Sequence, residues 1–486
     1  MSMASVPGVG MLEFRGLRAT IFGLGREGAA LACFLARRGA KVTVTDLKGP
    51  GQLRERIEQI HSILSPSAVH FALSGHPLEV LEAGVIFVSP GVPIQIPLLA
   101  EARRRGLLLT SEPRLFGALC PAPLIGITGS SGKTTTATLV GEILKANGMR
   151  AWLGGNIGEP LISVVGEIAP MDQVVAELSS FQLEYFAPQS DRHSPPGWEV
   201  LAQGYSPHIA ALLNITPNHL DRHLSMEAYV EAKSHICRHQ GPQDVCILGP
   251  NVKSQIPNVE SRVLLFSTEE VDEGAFLRDG RVMLRLAGRE MPVCNVQEIR
   301  LRGQHNVANV LAACAISGAA GAVPDAMREA ISVFQGVPHR LELVRELKGV
   351  RYFNDSIATS PERACAALRS FDEPIILLAG GRDKNLSWDE FAELALTRTR
   401  HVICFGEAAE LIAGELQLAS HWLQASTGRL ATFKLETTME EAILEASSAA
   451  RPGDVVLLAP GCTSFDAFRD FEERGERFRE LVQSLK

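Results

Sequence analysis

A chain of 486 residues is longer than one hydrophobic core organises, and at ~150 residues per domain it points to about three domains. With 46% hydrophobic and 21% charged residues it has the composition of a packed globular enzyme, and a formal charge of −8 lacks the basic excess of a phosphate-backbone binder, so nucleic acid is not an expected partner. The nine cysteines show no CxxC pair or zinc-type spacing, and neither a signal-type N-terminus nor a run of about 18 apolar residues occurs, so disulfides, structural zinc, export and membrane spanning are not expected and a reducing cytoplasm is.

In chain order, the first third alternates short β-branched runs at 17–22, 41–45 and 85–88 with helix-like stretches such as 29–38, the pattern of a parallel α/β sheet. The proline-rich segment Cys120-Pro-Ala-Pro123 interrupts this alternation just before a new strand at 124–128, which places a first boundary at 120. A second α/β region runs to about Gly336, and a third follows with strands at 351–354, 374–379, 401–405 and 454–459. Residues 188–207, rich in Pro, Ser and Gly, read as a surface insertion.

Two glycine motifs stand between a strand and a helix. Gly23-Leu24-Gly25-Arg26-Glu27-Gly28, with Asp46 ending the next strand, is a dinucleotide-type fingerprint: glycines admit a pyrophosphate to the backbone and an acidic residue suits a sugar hydroxyl. By itself it leaves NAD, FAD and UDP open, as well as a tight turn that binds nothing. The second, Gly126 to Thr134 (GITGSSGKT), has the form of a phosphate-binding loop. Its backbone amides would cradle phosphates, Lys133 would reach the β- and γ-phosphates, and the Thr134 hydroxyl would bind magnesium. The strict pattern asks for glycine where this chain has Ile127, with Gly129 two positions later, so a variant loop is implied. ATP use is the firm inference.

Glu177 stands near the end of the strand that starts at Asp172, where a nucleotide-bound magnesium needs a carboxylate. Further on come Thr216-Pro-Asn-His-Leu-Asp-Arg-His223 and Lys233. His219 and His223 with Asp221 between them suggest zinc, but no third nitrogen or sulfur ligand stands at a recognised spacing. Asn306 and Asn309 in GQHNVAN suit a purine edge or, alternatively, helix capping, and Arg340 with Asp355 suits ribose and phosphate. The loops Gly380-Gly-Arg-Asp-Lys384 and Pro460 to Asp466 lie at strand ends, where ligands bind in such folds. Phe465, Phe468 and Phe471 recur at helix spacing and read as core.

Together GITGSSGKTT, ELSSFQLE, NHLDRH with Lys233 beyond it, GQHN, PHRLE, NDSIATSPE, GGRDKN and LAPGCTSFD occur in the order, and at spacings similar to those, of the Mur ligase family, which the chain resembles over nearly its whole length. The resemblance implies an α/β fold of three domains: a Rossmann-like N-terminal domain at 1–120 for the UDP-sugar, a central P-loop ATPase-type parallel-sheet domain at 121–336, and a C-terminal Rossmann-like domain at 337–486 for the amino acid. It implies that ATP phosphorylates a substrate carboxylate and that an incoming amine attacks the acyl phosphate. GGRDKN looks like the glutamate-adding version, and the Asp-Asn-Pro-Arg loop of the diaminopimelate- or lysine-adding branch is absent. The implied ligands are therefore ATP, UDP-N-acetylmuramoyl-L-alanine and D-glutamate, met by a monomer in the cytoplasm.

Carried over by motif, Lys133, His219 and Lys233 are the catalytic set. Gly129, Ser130, Ser131, Gly132, Lys133, Thr134, Thr135, Asn306, Asn309, Arg340 and Asp355 would hold ATP. Gly25, Arg26, Glu27, Asp46, Ser89, Gly91, Asn156 and His219 would hold the UDP-substrate, and Thr359, Lys384, Ser464 and Phe471 the amino acid. Two magnesium sites are implied, with Thr134 and Glu177 at the first and His219 and a carbamylated Lys233 at the second. One departure stands out: Ile357 occupies a position where many members carry lysine, which leaves D- against L-glutamate open.

Overall fold

The computed structural model describes residues 12–190, 193–218, 220–256, 259–301, 303–384, 386–423 and 431–486. It contains three sheets in two compact units, one formed by residues 1–300 with 304–333 and the other by 301–303 with 334–486.

The first sheet is parallel throughout, in the order Val69–Leu73, Lys41–Asp46, Arg18–Phe22, Val85–Val88, Leu108–Thr110. Val85–Val88 is buried at every position, as a strand covered on both faces must be, which is why it reads as an unbroken apolar run and not as an alternating one. From Arg18–Phe22 the chain first builds outward on one side, to Lys41–Asp46, and later on the other, to Val85–Val88. The loops that leave these two neighbours, Gly23 to Gly28 and Ser89 to Gly91, therefore flank a crevice at the carboxyl edge of the sheet.

The second sheet has nine strands. Seven run parallel, in the order Ala151–Gly155, Gln173–Glu177, Leu124–Thr128, Ile209–Leu212, Val245–Leu248, Arg262–Ser267, Gly274–Arg278. Arg281–Leu286 and Arg289–Asn295 then extend it antiparallel through the two-residue turns Asp279-Gly280 and Ala287-Gly288, all four residues with positive φ as a tight hairpin turn requires. Leu124–Thr128 lies between Gln173–Glu177 and Ile209–Leu212, so the loops following these three strands emerge side by side. The helices Lys133–Ala146 and Gln304–Ala319 pack together on this sheet.

The third sheet belongs to the second unit. Glu342–Leu347 pairs antiparallel with Val350–Asn354, after which Val455–Gly461, Ile375–Gly380, Thr399–Phe405 and Thr432–Glu436 follow in parallel.

Two sequence expectations are corrected here. Residues 188–207 are not a surface insertion: Trp198 is fully buried, with its ring edge-on to Phe14 at 5.4 Å and to Phe87 at 6.3 Å. The Gln189 side chain donates to Leu109 O, and the Arg114 guanidinium donates to Val200 O and Gln203 O. The segment packs on the first sheet, because Trp198 finds Phe14 just ahead of that sheet's first strand and Phe87 within Val85–Val88. Nor do Phe465, Phe468 and Phe471 share a helix: residues 465–470 are turns, Phe465 is 59% exposed, and Phe471 only begins the helix Phe471–Ser484.

Candidate active site

The phosphate-type loop follows the fully buried strand Leu124–Thr128 and opens the helix Lys133–Ala146. Ile127 is still inside the strand, with no exposure, so glycine is not needed there, and the turn is made by residues 129–132. Gly132 is left-handed at φ +80°, and a Cβ on it would stand 2.3 Å from Asn309 Oδ1, so the helix Gln304–Ala319 can approach only a glycine. Asn214, at the end of the neighbouring strand, shapes the loop: Ser131 N donates to Asn214 Oδ1 (2.9 Å) and Ser130 N to Asn214 O (3.0 Å). The Ser130 hydroxyl lies 3.0 Å from both Thr216 O and the Tyr229 hydroxyl. A loop of backbone amides ahead of a helix N-terminus is an anion cradle by construction.

Two lysines meet at this loop. Lys133 Nζ and Lys233 Nζ each donate to Gly129 O, both at 3.0 Å, and Lys233 also reaches Thr128 Oγ1 at 3.3 Å. Burial pushes Lys233 well below the ordinary lysine value, the Lys133 charge pushes it further, and the Glu177 carboxylate opposes both. Glu177 is itself buried and accepts from Thr134 Oγ1 (2.8 Å) on one oxygen and from Asn156 Nδ2 (2.9 Å) on the other. A hydroxyl and a carboxylate in contact beside a phosphate cradle form an oxygen donor set that suits a hard cation retaining phosphate and water ligands, as magnesium does. His223 places Nε2 at 2.9 Å from Ser180 Oγ and Nδ1 at 3.4 Å from Glu184, and among the described residues no three metal-ligating side chains cluster.

The glycine turn of the first sheet uses its glycines differently. A Cβ on Gly28 would stand 2.1 Å from Gly23 O, whereas Gly25 and Gly91 have open space above them. Asp46 braces the turn, accepting from Leu24 N (2.8 Å) and Lys48 N (2.9 Å), and Ser89 donates to Gly23 O (3.0 Å). Arg26 Nη2 lies 3.4 Å from Asn156 O, which joins this turn to the residue that touches Glu177. Glu27 turns inward and accepts from Gln182 Nε2 at 2.6 Å. Arg222 ties the Pro90-Val92 loop to the second sheet, donating to Pro90 O (3.0 Å) and Val92 O (2.6 Å).

In the second unit, the loops after Val350–Asn354, Ile375–Gly380 and Val455–Gly461 are neighbours because the strands are. Asp355 is buried and accepts from Leu341 N at 3.0 Å; burial raises it to about 6, while that hydrogen bond and the charges of Arg340 and Arg363 hold it down. Lys384 Nζ lies 3.4 Å from Thr359 Oγ1. Ser464 is buried, and Phe471 accepts the Ser356 hydroxyl on its carbonyl at 2.8 Å. All three loops are held by Arg474, which has no exposure and donates to Ser356 Oγ (3.0 Å), Ser356 O (2.9 Å), Gly380 O (3.4 Å), Cys462 O (3.1 Å) and Thr463 O (3.1 Å).

Residues 17–111 match the Mur ligase MurD-like N-terminal domain, 127–317 the Mur ligase middle domain, and 339–462 the Mur ligase glutamate ligase domain. The chain belongs to the Mur ligase family. Relatives of this Mur ligase include UDP-N-acetylmuramoylalanine--D-glutamate ligases of Symbiobacterium thermophilum (43% identical, covering 96% of this chain and 98% of the relative) and Geobacter metallireducens (40%, covering 98% and 99%). The crystal structure of UDP-N-acetylmuramate-alanine ligase from Thermotoga maritima shares its fold, with a TM-score of 0.56 at 17% identity over 97% of this chain and 100% of that one.

Of the residues singled out in the sequence of this Mur ligase, Gly129 to Thr135, Glu177, Asn156, Lys233, Asn306 and Asn309 come together in the first unit, with Asn309 Nδ2 donating to Asn306 Oδ1 at 3.0 Å. Arg340, Asp355, Thr359, Lys384, Ser464 and Phe471 gather in the second. His219 lies outside the described residues. Sequence reasoning missed Asn214, Tyr229, Gln182 and Arg474. Asn214 carried a usable signal, since it stands two residues past the strand Ile209–Leu212, the neighbour of the strand that leads into the phosphate loop. Arg474, in the charged run Glu-Glu-Arg-Gly-Glu-Arg, carried none.

Proposed function

We propose that this Mur ligase joins D-glutamate to UDP-N-acetylmuramoyl-L-alanine in an ATP-driven step of peptidoglycan precursor synthesis. The observation that carries the reading is the phosphate cradle coupled through Thr134 to Glu177, in a chain matched by all three Mur ligase domains. The substrate pair rests on the full-length likeness to ligases of that name.

In this reading a carboxylate oxygen of the UDP-substrate attacks the γ-phosphorus and ADP leaves. The glutamate nitrogen then attacks the acyl carbon, phosphate departs, and the amide forms as the nitrogen loses its proton. The chain's contribution is positioning and charge stabilisation. The 129–135 loop, with Ser130, Ser131 and Thr135, holds the triphosphate; Lys133 offsets the charge on the transferred group; Asn306 and Asn309 serve the nucleotide from the adjoining helix. Arg340 and Asp355 are assigned nucleotide contacts on the family resemblance. Thr134 and Glu177 would hold one magnesium ion, and His219 with carbamylated Lys233 a second; bound magnesium supplies charge neutralisation on the phosphates. Burial of Lys233 against Thr128 and Gly129 keeps competing water away from that amine.

Gly25 and Gly91, which leave open space at the crevice, with Arg26, Asp46, Ser89, Asn156 and His219, receive the UDP-sugar. Glu27 shapes that crevice from beneath through Gln182. Thr359, Lys384, Ser464 and Phe471 receive glutamate. The three roles divide the chain at 1–120, 121–336 and 337–486. The reading includes a monomeric cytoplasmic enzyme without nucleic-acid or membrane partners; the −8 charge supports the former absence, and among the described residues no helix is long and apolar enough to cross a membrane.

Phosphate release and product mass, measured with ATP, magnesium and UDP-N-acetylmuramoyl-L-alanine, test the proposal. Condensation with D-glutamate alone is expected. Condensation with L-glutamate instead would keep the chemistry and overturn the stereochemistry, and release without any amino acid would overturn the ligase reading.

A further inference from the structure

Two cations in the second unit stand close together without an ion-pair partner among the described residues. Lys384 points its ammonium at Thr359 Oγ1 (3.4 Å). Arg363, in the first turn of the helix Pro361–Leu368, points its guanidinium back to the same loop, with Nη1 3.3 Å from Ile357 O. Each charge is felt by the other's surroundings: Arg363 and the buried Arg474 both push Lys384 below the ordinary lysine value, after burial, and Arg363 helps to hold Asp355 down. Ser360, which caps the helix Pro361–Leu368 in position, makes no side-chain capping hydrogen bond, so the amides of that turn are open as well. Neighbouring like charges repel, and such a pair is maintained at a cost unless an anion lies against both.

A dicarboxylic amino acid carries two anionic groups. Lys384 can meet one. The middle of the loop, where a second cation would stand nearest, is filled by the aliphatic Ile357. Arg363 supplies that charge from the helix, and its planar fork matches a carboxylate better than an ammonium does.

We infer that Arg363 is a specificity-determining residue of this enzyme, binding one carboxylate of the incoming acidic amino acid while Lys384 binds near the other. The inference rests on the proposed glutamate-adding function and adds the residue that reads the second negative charge. Arg363 is exposed, and within the second unit its guanidinium meets the loop that carries Thr359, so the effect of changing it is expected on the amino-acid substrate.

The test is steady-state kinetics on the full-length chain. Wild type is assayed first with D-glutamate, and failure to condense it at that stage overturns the proposed function independently of Arg363. Given activity, Arg363→Gln is expected to raise KM for D-glutamate at least tenfold, with KM for ATP and for the UDP-substrate changed less than threefold and the melting temperature unchanged. Arg363→Lys is expected to recover part of the loss, and Ile357→Lys added to Arg363→Gln to recover more, because it restores a cation to the same loop. A KM for D-glutamate within twofold of wild type in Arg363→Gln overturns the inference, as does an equal rise in all three KM values.

Discussion

The phosphate loop of the first unit and the loop cluster of the second are made of the same material, glycine-rich turns at the carboxyl ends of parallel strands, yet they balance charge in opposite ways. Around Gly129 two lysines share one carbonyl, and a buried carboxylate is held by a hydroxyl and an amide a few ångströms along. Cation and anion are both present, as a site that handles phosphate together with a divalent cation requires. Around Thr359 the cations Lys384, Arg363 and Arg474 are countered by Asp355, whose carboxyl is itself pushed up by burial, and by Asp466 near Arg474. That surplus suits a ligand that is itself the missing anion. In the proposed reading, similar backbone geometry serves phosphoryl chemistry in one unit and acid recognition in the other, and side-chain charge makes the difference.

The comparison breaks first at Arg474, if its charge belongs to the ligand and not to the scaffold. Its guanidinium donates to four backbone carbonyls and one hydroxyl from the loops it joins. Arg474→Met leaves those buried acceptors without a donor, and we expect the second unit to lose about 3–5 kcal/mol, several acceptors at about 1–3 kcal/mol each being partly offset by the desolvation no longer needed. Chemical denaturation followed by hydrogen exchange in 334–486 measures this. A stable variant that merely binds glutamate less tightly would show that Arg474 works as a ligand-binding cation instead.

In the first unit the corresponding test is Lys133. Removing one preorganised charge-stabilising group costs about 2.7–4 kcal/mol in the transition state, so Lys133→Ala should lower kcat by roughly a hundredfold or more while stability changes little. Turnover near that of wild type would detach the loop from phosphate chemistry altogether. Single-turnover phosphate release separates this outcome from slow product loss.

Much of this organisation is visible before any coordinates, and for identifiable reasons. Val85–Val88 and Leu124–Thr128 are continuous apolar runs closed by turn residues, and both appear as strands with those bounds. The phosphate loop is local in sequence, so its residue types suffice to mark it. The hairpin turns at Asp279-Gly280 and Ala287-Gly288 also carried a local signal, but nothing in Arg281–Leu286 says that it pairs antiparallel on an otherwise parallel sheet. Trp198 and Arg474 were illegible because their meaning is non-local. A tryptophan in a proline-rich stretch becomes a core residue only when Phe14 and Phe87 are brought to it, and an arginine in an acidic helix becomes a scaffold only when three loops converge on it.

Glu27 and Glu112 extend the contrast to a third arrangement, in which the first unit buries carboxyl groups without cations to match. Glu112 is enclosed and accepts from Ile162 N at 2.9 Å; Glu27 accepts from Gln182 and feels Arg26. Burial raises both far above the ordinary carboxylate range, and the Glu27 charge raises Glu112 further, against the weaker opposing pull of Arg26 and the hydrogen bonds. The native state therefore keeps protons that the unfolded chain releases above about pH 4.3, so the unfolded state binds fewer protons and stability falls as pH rises through the neutral region. Each unit of upward shift corresponds to about 1.4 kcal/mol lost once both states are ionised. Denaturation of wild type should accordingly show lower stability at about pH 8.5 than at about pH 6, and Glu112→Gln, which is neutral at every pH and keeps an acceptor for Ile162 N, should flatten that slope. An unchanged slope in the variant would mean that the pair ionises in the folded protein with its charge compensated, and the two ends of the first unit would then follow one charge rule instead of two.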